Sequence, residues 1–386
     1  MRIINYIFIT VFFLIFNLVM PSKVLSEGHP KPKEWKGEGT KIEFQSIPVI
    51  TVKDFLNGKV PEKAQTVWGT LNFPANASDK NVPVVVVLHG GGGIHNAEEQ
   101  WLSVFNSMGL ATFMVDSNWP RRKCKKTFKK AIPNCNDVHK GITRIVDARR
   151  ALELLSKHPR IDPARIGCLG SSLGGIGCLY QSVKRFQKMW GAPGLEFAAS
   201  VPMYPVCNFK YEEDDVMSDE PIRIHIGDLD QYGSAESCVK YVERLHLKGK
   251  DITITVYPGV HHAFDAKITT QHGPQTTFKQ KGLFFSQCNF EENTDSSVLN
   301  EENLGEGFQQ ILTQVGFNEW LASAEEKKIK KLFKWAKGGN KRGYADATII
   351  FDKSCVTKVG TNKYDKEAAK KVTGLVKEFF TTTLKL

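Results

Sequence analysis

Gly170-Ser171-Ser172-Leu173-Gly174 holds a serine between glycines two residues before it and two after it. A predicted strand, Arg165–Leu169, leads into this pentapeptide, and helical apolar spacing, Ser172–Phe186, leads out of it. G-x-S-x-G between a strand and a helix is a nucleophile elbow, in which the glycines clear the neighbouring backbone and the serine hydroxyl stands out at the strand's end. The pentapeptide is common, and its bland reading is a glycine-rich turn without chemistry. A serine hydroxyl attacks a carbonyl carbon only when a base takes its proton. Two candidates for the base, His261 and His262, follow the run Ile252–Tyr257, and two candidates for an orienting acid, Asp228 and Asp230, follow Ile222–Ile226. The order serine, acid, histidine is the one that accompanies an elbow serine, and within each pair Asp230 and His262 are favoured. His89-Gly90-Gly91-Gly92-Gly93, after Val82–Leu88, supplies bare backbone for an oxyanion, with donors expected from Leu173 and from Gly91 or Gly92.

Other chemistries fail on spacing. No Gly-Lys-Ser/Thr follows the glycine run, and Gly167 to Gly177 does not have dinucleotide spacing. Neither C-x-x-C nor H-E-x-x-H occurs, so no metal and no cofactor are expected. A formal charge of +11 over 386 residues is a mild excess and gives no ground for nucleic acid as a partner. Arg121 to Lys130 is dense in Arg and Lys; it could steer an anionic substrate, or be a solvated loop in a lysine-rich protein.

The elements that must hold these residues alternate. Strands are predicted at Val82–Leu88, Ala111–Val115, Arg165–Leu169, Ala198–Met203, Ile222–Ile226 and Ile252–Tyr257. Helices are predicted at Ala97–Met108, Lys140–Ser156, Ser172–Phe186, Ala235–Leu247 and Lys363–Thr382. Edge strands at 43–52 and 65–73 come first. This alternation demands a mostly parallel central sheet with helices on both faces, an α/β architecture that places ligands at the carboxyl ends of its strands. Residues 27–42 read as a flexible lead-in, 43–386 as the folded domain, and 266–343 as an insertion or lid between the last strand and the last helix. A basic amphipathic helix is expected within it at Glu325–Lys337.

Ahead of all this, Arg2 precedes Tyr6 to Met20, thirteen of whose fifteen residues are apolar, and Val24-Leu25-Ser26 follows. Residues 1–26 read as a secretory signal, with an uncleaved anchor as the rival and the only route to membrane contact. A periplasmic or secreted location follows, and export makes disulfides the expected use of eight cysteines. The expected pairs are Cys124 with Cys135, Cys207 with Cys238, and Cys288 with Cys355, while Cys168 and Cys178 read as buried free thiols.

Taken together, Val84–Gly93, Asp116-Ser117-Asn118-Trp119-Pro120-Arg121, Asp147 to Leu155, Ile161 to Gly167, the elbow, Gly227 to Asp230 and His262-Ala263-Phe264-Asp265 resemble the dienelactone hydrolase branch of the α/β-hydrolase superfamily. The resemblance spans roughly 65–265 plus the closing helix. It implies the α/β-hydrolase fold, serine-type hydrolysis without a cofactor, and catalytic roles for Ser172, Asp230 and His262. Dienelactone hydrolases proper carry cysteine as nucleophile; Ser172 makes this chain similar to exported carboxylesterases. The expectation is an exported hydrolase that cleaves a small-molecule ester through an acyl-serine. Prolyl oligopeptidase-type peptidases share the catalytic order, and an exported binding protein that kept the fold is the rival from another class.

Overall fold

A computed structural model describes residues 39–48, 50, 52–121, 139–270, 273–284, 286–292, 355 and 357–386. The main sheet contains β1 (Thr40–Ser46), β2 (Gln65–Asn72), β3 (Val82–Leu88), β4 (Ala111–Asp116), β5 (Ile161–Ser171), β6 (Ala199–Met203), β8 (Ile222–Gly227) and β9 (Ile252–Tyr257). Their order is β1-β2-β4-β3-β5-β6-β8-β9. β2 runs antiparallel to β1 and β4, and from β4 to β9 every pairing is parallel. The helices are α1 (Val52–Leu56), α2 (Asn96–Ser107), α3 (His139–Ser156), α4 (Leu173–Tyr180), α5 (Lys184–Trp190), α6 (Ala235–His246) and α7 (Lys366–Thr383). This is the α/β-hydrolase architecture.

The centre of the sheet explains why its strands lack polar alternation. Side chains along β3 point to opposite faces in turn. Val84, Val86 and Leu88 enter one apolar cluster, Val85 and Val87 the other, and all five are fully buried. Each such side chain contributes about 1.5–3 kcal/mol by leaving water, which rewards a run of valine that a one-sided sheet would not. α7 closes one face with Ala368, Ala369, Val372, Val376 and Phe380 buried. Phe380 goes fully inside, while its neighbour Phe379 is only partly buried against the core. Phe380 packs where a Cβ on Gly167 would come within 2.7 Å of its ring.

Three expectations are corrected. The helix read across Ser172–Phe186 is two helices, α4 and α5, broken at Gln181–Val183, where Val183 adopts extended backbone and pairs with Met217. Cys168 and Cys178 are not free thiols but a disulfide. One lies on β5 and the other on the helix packed above it, with Cα atoms 5.8 Å apart, a juxtaposition that ten residues of separation hide from sequence reading. Arg121, grouped with the basic run, turns inward instead. It makes a bidentate pair with Asp147 at 2.7 and 2.8 Å, and Ser46 Oγ donates to the same carboxylate at 2.5 Å. Cys207–Cys238 and Cys288–Cys355 are also bonded. Cys124, Cys135, the rest of the basic run, residues 1–38 and the helix expected at Glu325–Lys337 lie outside the described residues.

After β9 the chain builds small sheets apart from the main one. β10 (Ile268–Thr270) pairs with β11 (Gly273–Gln275), β12 (Thr277–Phe284) with β14 (Thr357–Lys363), and β13 (Phe290–Glu291) with β7 (Phe209–Lys210). Among the described residues no helix is long and apolar enough to cross a membrane.

The Arg121–Asp147 pair is a sensitive point of this fold. Burial alone would raise the Asp147 pKa, but the charge and hydrogen bonds of Arg121 outweigh it and hold the carboxyl below its ordinary 3.8. A depressed acid stabilises the folded state above its unfolded pKa and loses that contribution as pH falls through the folded value. Stability is therefore expected to fall below about pH 4 through this residue. Asp147→Ala, which strands the buried guanidinium, is expected to cost about 3–5 kcal/mol in urea unfolding at pH 7.

Candidate active site

Ser172 sits between β5 and α4 with φ +55° and ψ −111°, a conformation that an L-residue occupies at a cost of about 1–3 kcal/mol. The flanking glycines make it possible. A Cβ on Gly170 would stand 2.1 Å from the carbonyl oxygen of Gly174, and one on Gly174 would stand 2.0 Å from that of Leu88. α4 can thus start hard against β3 and β5, and Ser172 N–H donates to Met203 O at 3.0 Å.

The other two loops converge on the serine. Ser172 Oγ lies 3.0 Å from His262 Nε2, and His262 Nδ1 lies 2.6 Å from Asp230 Oδ2. Asp230 Oδ1 accepts the N–H groups of Tyr232 at 2.8 Å and Gly233 at 3.0 Å. Both His262 and Asp230 are buried. The acid loop and the histidine loop are joined by backbone: Asp228 N–H donates to Tyr257 O and Leu229 N–H to Val260 O. Gly227 allows this closeness, since a Cβ there would lie 2.1 Å from Val260 O. The neighbours left open by sequence fall elsewhere. Asp228 accepts Gly259 N–H at 2.7 Å in a turn, and half-buried His261 contacts Leu229 O at 3.1 Å.

The glycine loop runs beside the serine. A Cβ on Gly90 would lie 3.5 Å from Ser172 Cβ, and one on Gly91 would lie 3.4 Å from Leu173 Cδ1. Its carbonyls are tied from behind. His89 Nε2 accepts Ser117 N–H, leaving Nδ1–H to donate to Gly90 O at 2.6 Å, and Asn118 Nδ2 donates to Gly91 O at 3.1 Å. Arg144 Nη2 holds Asn118 Oδ1 at 2.9 Å. Across planar trans peptides these anchors turn the Gly91 and Gly92 N–H groups the opposite way. Among the described residues neither of those N–H groups, nor that of Leu173, has a hydrogen-bond partner.

Two buried acids stand behind the loop. Glu98 accepts His95 N–H at 2.9 Å and Gly90 N–H at 3.4 Å, yet burial raises its pKa to about 7. Asp265 is also raised by burial, against hydrogen bonds from Trp101 Nε1 and Tyr204 OH, both 2.9 Å. Tyr204 meets His262 in a T-shaped contact, with centroids 4.6 Å apart, and Tyr232 stacks on the same imidazole at 4.4 Å. Sequence reading did not single out Glu98, Arg144, Tyr204 or Tyr232. Asn118 lies within Asp116–Arg121, a segment whose sequence gives it no role, and only Tyr232, two residues past Asp230, carries a positional hint.

Hydrogen-bonded in this way, the three side chains can pass a proton from a serine hydroxyl to an imidazole whose tautomer a carboxylate fixes. Among the described residues no group of three or more His, Cys, Asp or Glu could hold a metal ion. The model of the dienelactone hydrolase family matches residues 69–281. No curated protein matches the sequence. Esterase 2 of Thermogutta terrifontis phosphorylated by paraoxon is 17% identical, with 52% of this chain and 80% of that chain covered and a TM-score of 0.40. A provisionally assigned dienelactone hydrolase of Klebsiella pneumoniae is 16% identical, with 59% of this chain and 89% of that chain covered and a TM-score of 0.41.

Gly174→Ala drives a methyl group into the Leu88 carbonyl, so it is expected to destabilise the protein by about 3 kcal/mol or more in thermal unfolding. Gly194→Ala, with open space around its Cβ position and φ +74°, is the control for backbone strain alone and is expected to cost about 1 kcal/mol.

Proposed function

The chain belongs to the dienelactone hydrolase family, and we propose that it is an exported serine esterase working through an acyl-Ser172 intermediate. The observation that carries this reading is the unbroken chain from Ser172 Oγ through His262 to Asp230, at 3.0 and 2.6 Å. Family membership supports a hydrolase of small-molecule esters. A serine nucleophile supports carboxylic esters in general.

His262 Nε2 takes the hydroxyl proton as Ser172 Oγ bonds to the ester carbonyl carbon. The carbonyl oxygen becomes an oxyanion, for which the N–H groups of Leu173, Gly91 and Gly92 are the candidate donors. When the tetrahedral carbon collapses, the C–O bond to the alcohol breaks and His262 returns the proton to the leaving oxygen. Water then attacks the acyl-serine with His262 again as base, which releases the acid and restores Ser172. Asp230 keeps Nδ1 protonated and stabilises the imidazolium. Its other carboxylate oxygen is held in place by the backbone N–H groups of Tyr232 and Gly233.

Export through residues 1–26 is part of the proposal. Three disulfides among the described residues support an oxidising compartment.

With a panel of p-nitrophenyl esters, Ser172→Ala and His262→Ala are expected to lower kcat by about 10⁴-fold or more, and Asp230→Asn by about 10⁴-fold. Asp228→Ala and His261→Ala are expected to stay within about threefold of the wild type. Full activity in Asp230→Asn together with loss in Asp228→Ala would reverse the acid assignment.

A further inference from the structure

Tyr232 lies on His262 at an interplanar angle of 28°, and neither the acid nor the base role accounts for it. Its hydroxyl is held at both valences: Asn362 Nδ2 donates to it at 2.7 Å, and it donates to Gln280 Oε1 at 3.1 Å. Phe284 meets its ring at a centroid distance of 4.6 Å. Gln280 and Phe284 belong to β12 and Asn362 to β14, the two strands of the ribbon outside the main sheet. Gly360, in register with Gln280, lies so near that a Cβ would stand 2.5 Å from Tyr232 Cζ. β14 is therefore bare at the point where the phenol needs room.

The ribbon's end and the turn that leads from it into α7 also grip the histidine loop through backbone. Lys363 N–H donates to His262 O at 3.0 Å and Asp365 N–H to Phe264 O at 3.0 Å. Gln231 Oε1 accepts Thr361 N–H at 2.9 Å. Between the two gripped carbonyls is Ala263 at φ +52°, a left-handed conformation that an alanine in a free loop rarely keeps. β13 anchors the same segment to β7, and Asn208 Nδ2 donates to the carbonyl of disulfide-bonded Cys288 at 2.5 Å.

We propose that Tyr232 is a positioning residue, through which the β12–β14 ribbon fixes the plane of the His262 imidazole. This rests on the reading of His262 as the base. The hydrogen bond to Asp230 fixes Nδ1 but leaves the ring free to tilt about that contact. Tyr232 against one face and the T-shaped contact with Tyr204 close that freedom and keep Nε2 on the serine. A displacement near 1 Å at a reacting group can cost about 10²-fold in rate. The strands that look like an appendage are thus part of the catalytic apparatus.

The test measures kcat and KM on a p-nitrophenyl ester, together with the low-field proton resonance of the His262–Asp230 hydrogen bond. It compares wild type, Tyr232→Ala, Tyr232→Phe, Asn362→Ala and the double variant Tyr232→Phe/Asn362→Ala, each in the full chain. Tyr232→Ala is expected to lose about 10²-fold in kcat with KM within about twofold, and to broaden or shift the resonance. Tyr232→Phe keeps the stacked ring but loses the hydroxyl's two anchors, and is expected to fall about three- to tenfold below wild type in kcat. Asn362→Ala is expected to match it, with the double variant no worse than either single one. Wild-type kcat and an unchanged resonance in a folded Tyr232→Ala protein would overturn the proposal, as would a loss confined to KM. If Tyr232→Ala does not fold, additive or absent effects of Tyr232→Phe and Asn362→Ala overturn it. Should the wild type hydrolyse no ester, the proposed function fails, and the resonance comparison alone decides the positioning.

Discussion

The backbone of Ser172 is the constraint on which the rest of this structure depends. At φ +55° it presents its side chain at the end of β5 only because two glycines have no Cβ to strike Gly174 O and Leu88 O. That strain is small beside the apolar burial around it, where β3 alone places Val84 to Leu88 fully inside. The doubly covered sheet supplies the stability, and the elbow spends a little of it on geometry.

Everything else at the site is arranged relative to that one side chain. The acid and histidine loops approach it together because Gly227 lets them touch, and their backbones are hydrogen-bonded to each other before either reaches the serine. The glycine loop is held by groups that point away from the serine, His89, Asn118 and Arg144, so that its N–H groups face the other way. Arg144 is itself buried, and burial lowers its pKa to about 10, still above any physiological pH. It therefore stays a charged donor to Asn118.

The sequence made the main sheet, most of its helices and a candidate serine, acid and histidine legible, the last two as a choice between neighbours, because each has a local signature. Unbroken valine in β3 means burial on both faces, and glycines spaced around a serine after a strand mean an elbow. What stayed hidden depends on contacts between distant residues. Cys168 and Cys178 meet because a helix folds back over a strand, and Arg121 finds Asp147 across a sheet edge although its neighbours suggest a solvated basic loop. Tyr232 is marked in sequence only by its place two residues past Asp230. Its role depends on Gln280 and Asn362, which are 48 and 130 residues away. The break between α4 and α5 was missed for the same reason, since Val183 leaves the helix to pair with Met217.

An activated serine at position 172 is the central claim, and covalent trapping reaches it most directly. The purified protein, treated with a fluorophosphonate and mapped by peptide mass spectrometry, should carry one phosphonyl group on Ser172, with esterase activity lost in proportion. His262→Ala should remain unmodified over the same interval. An adduct on a different residue, or an esterase that stays active while Ser172 remains unmodified, would contradict the account.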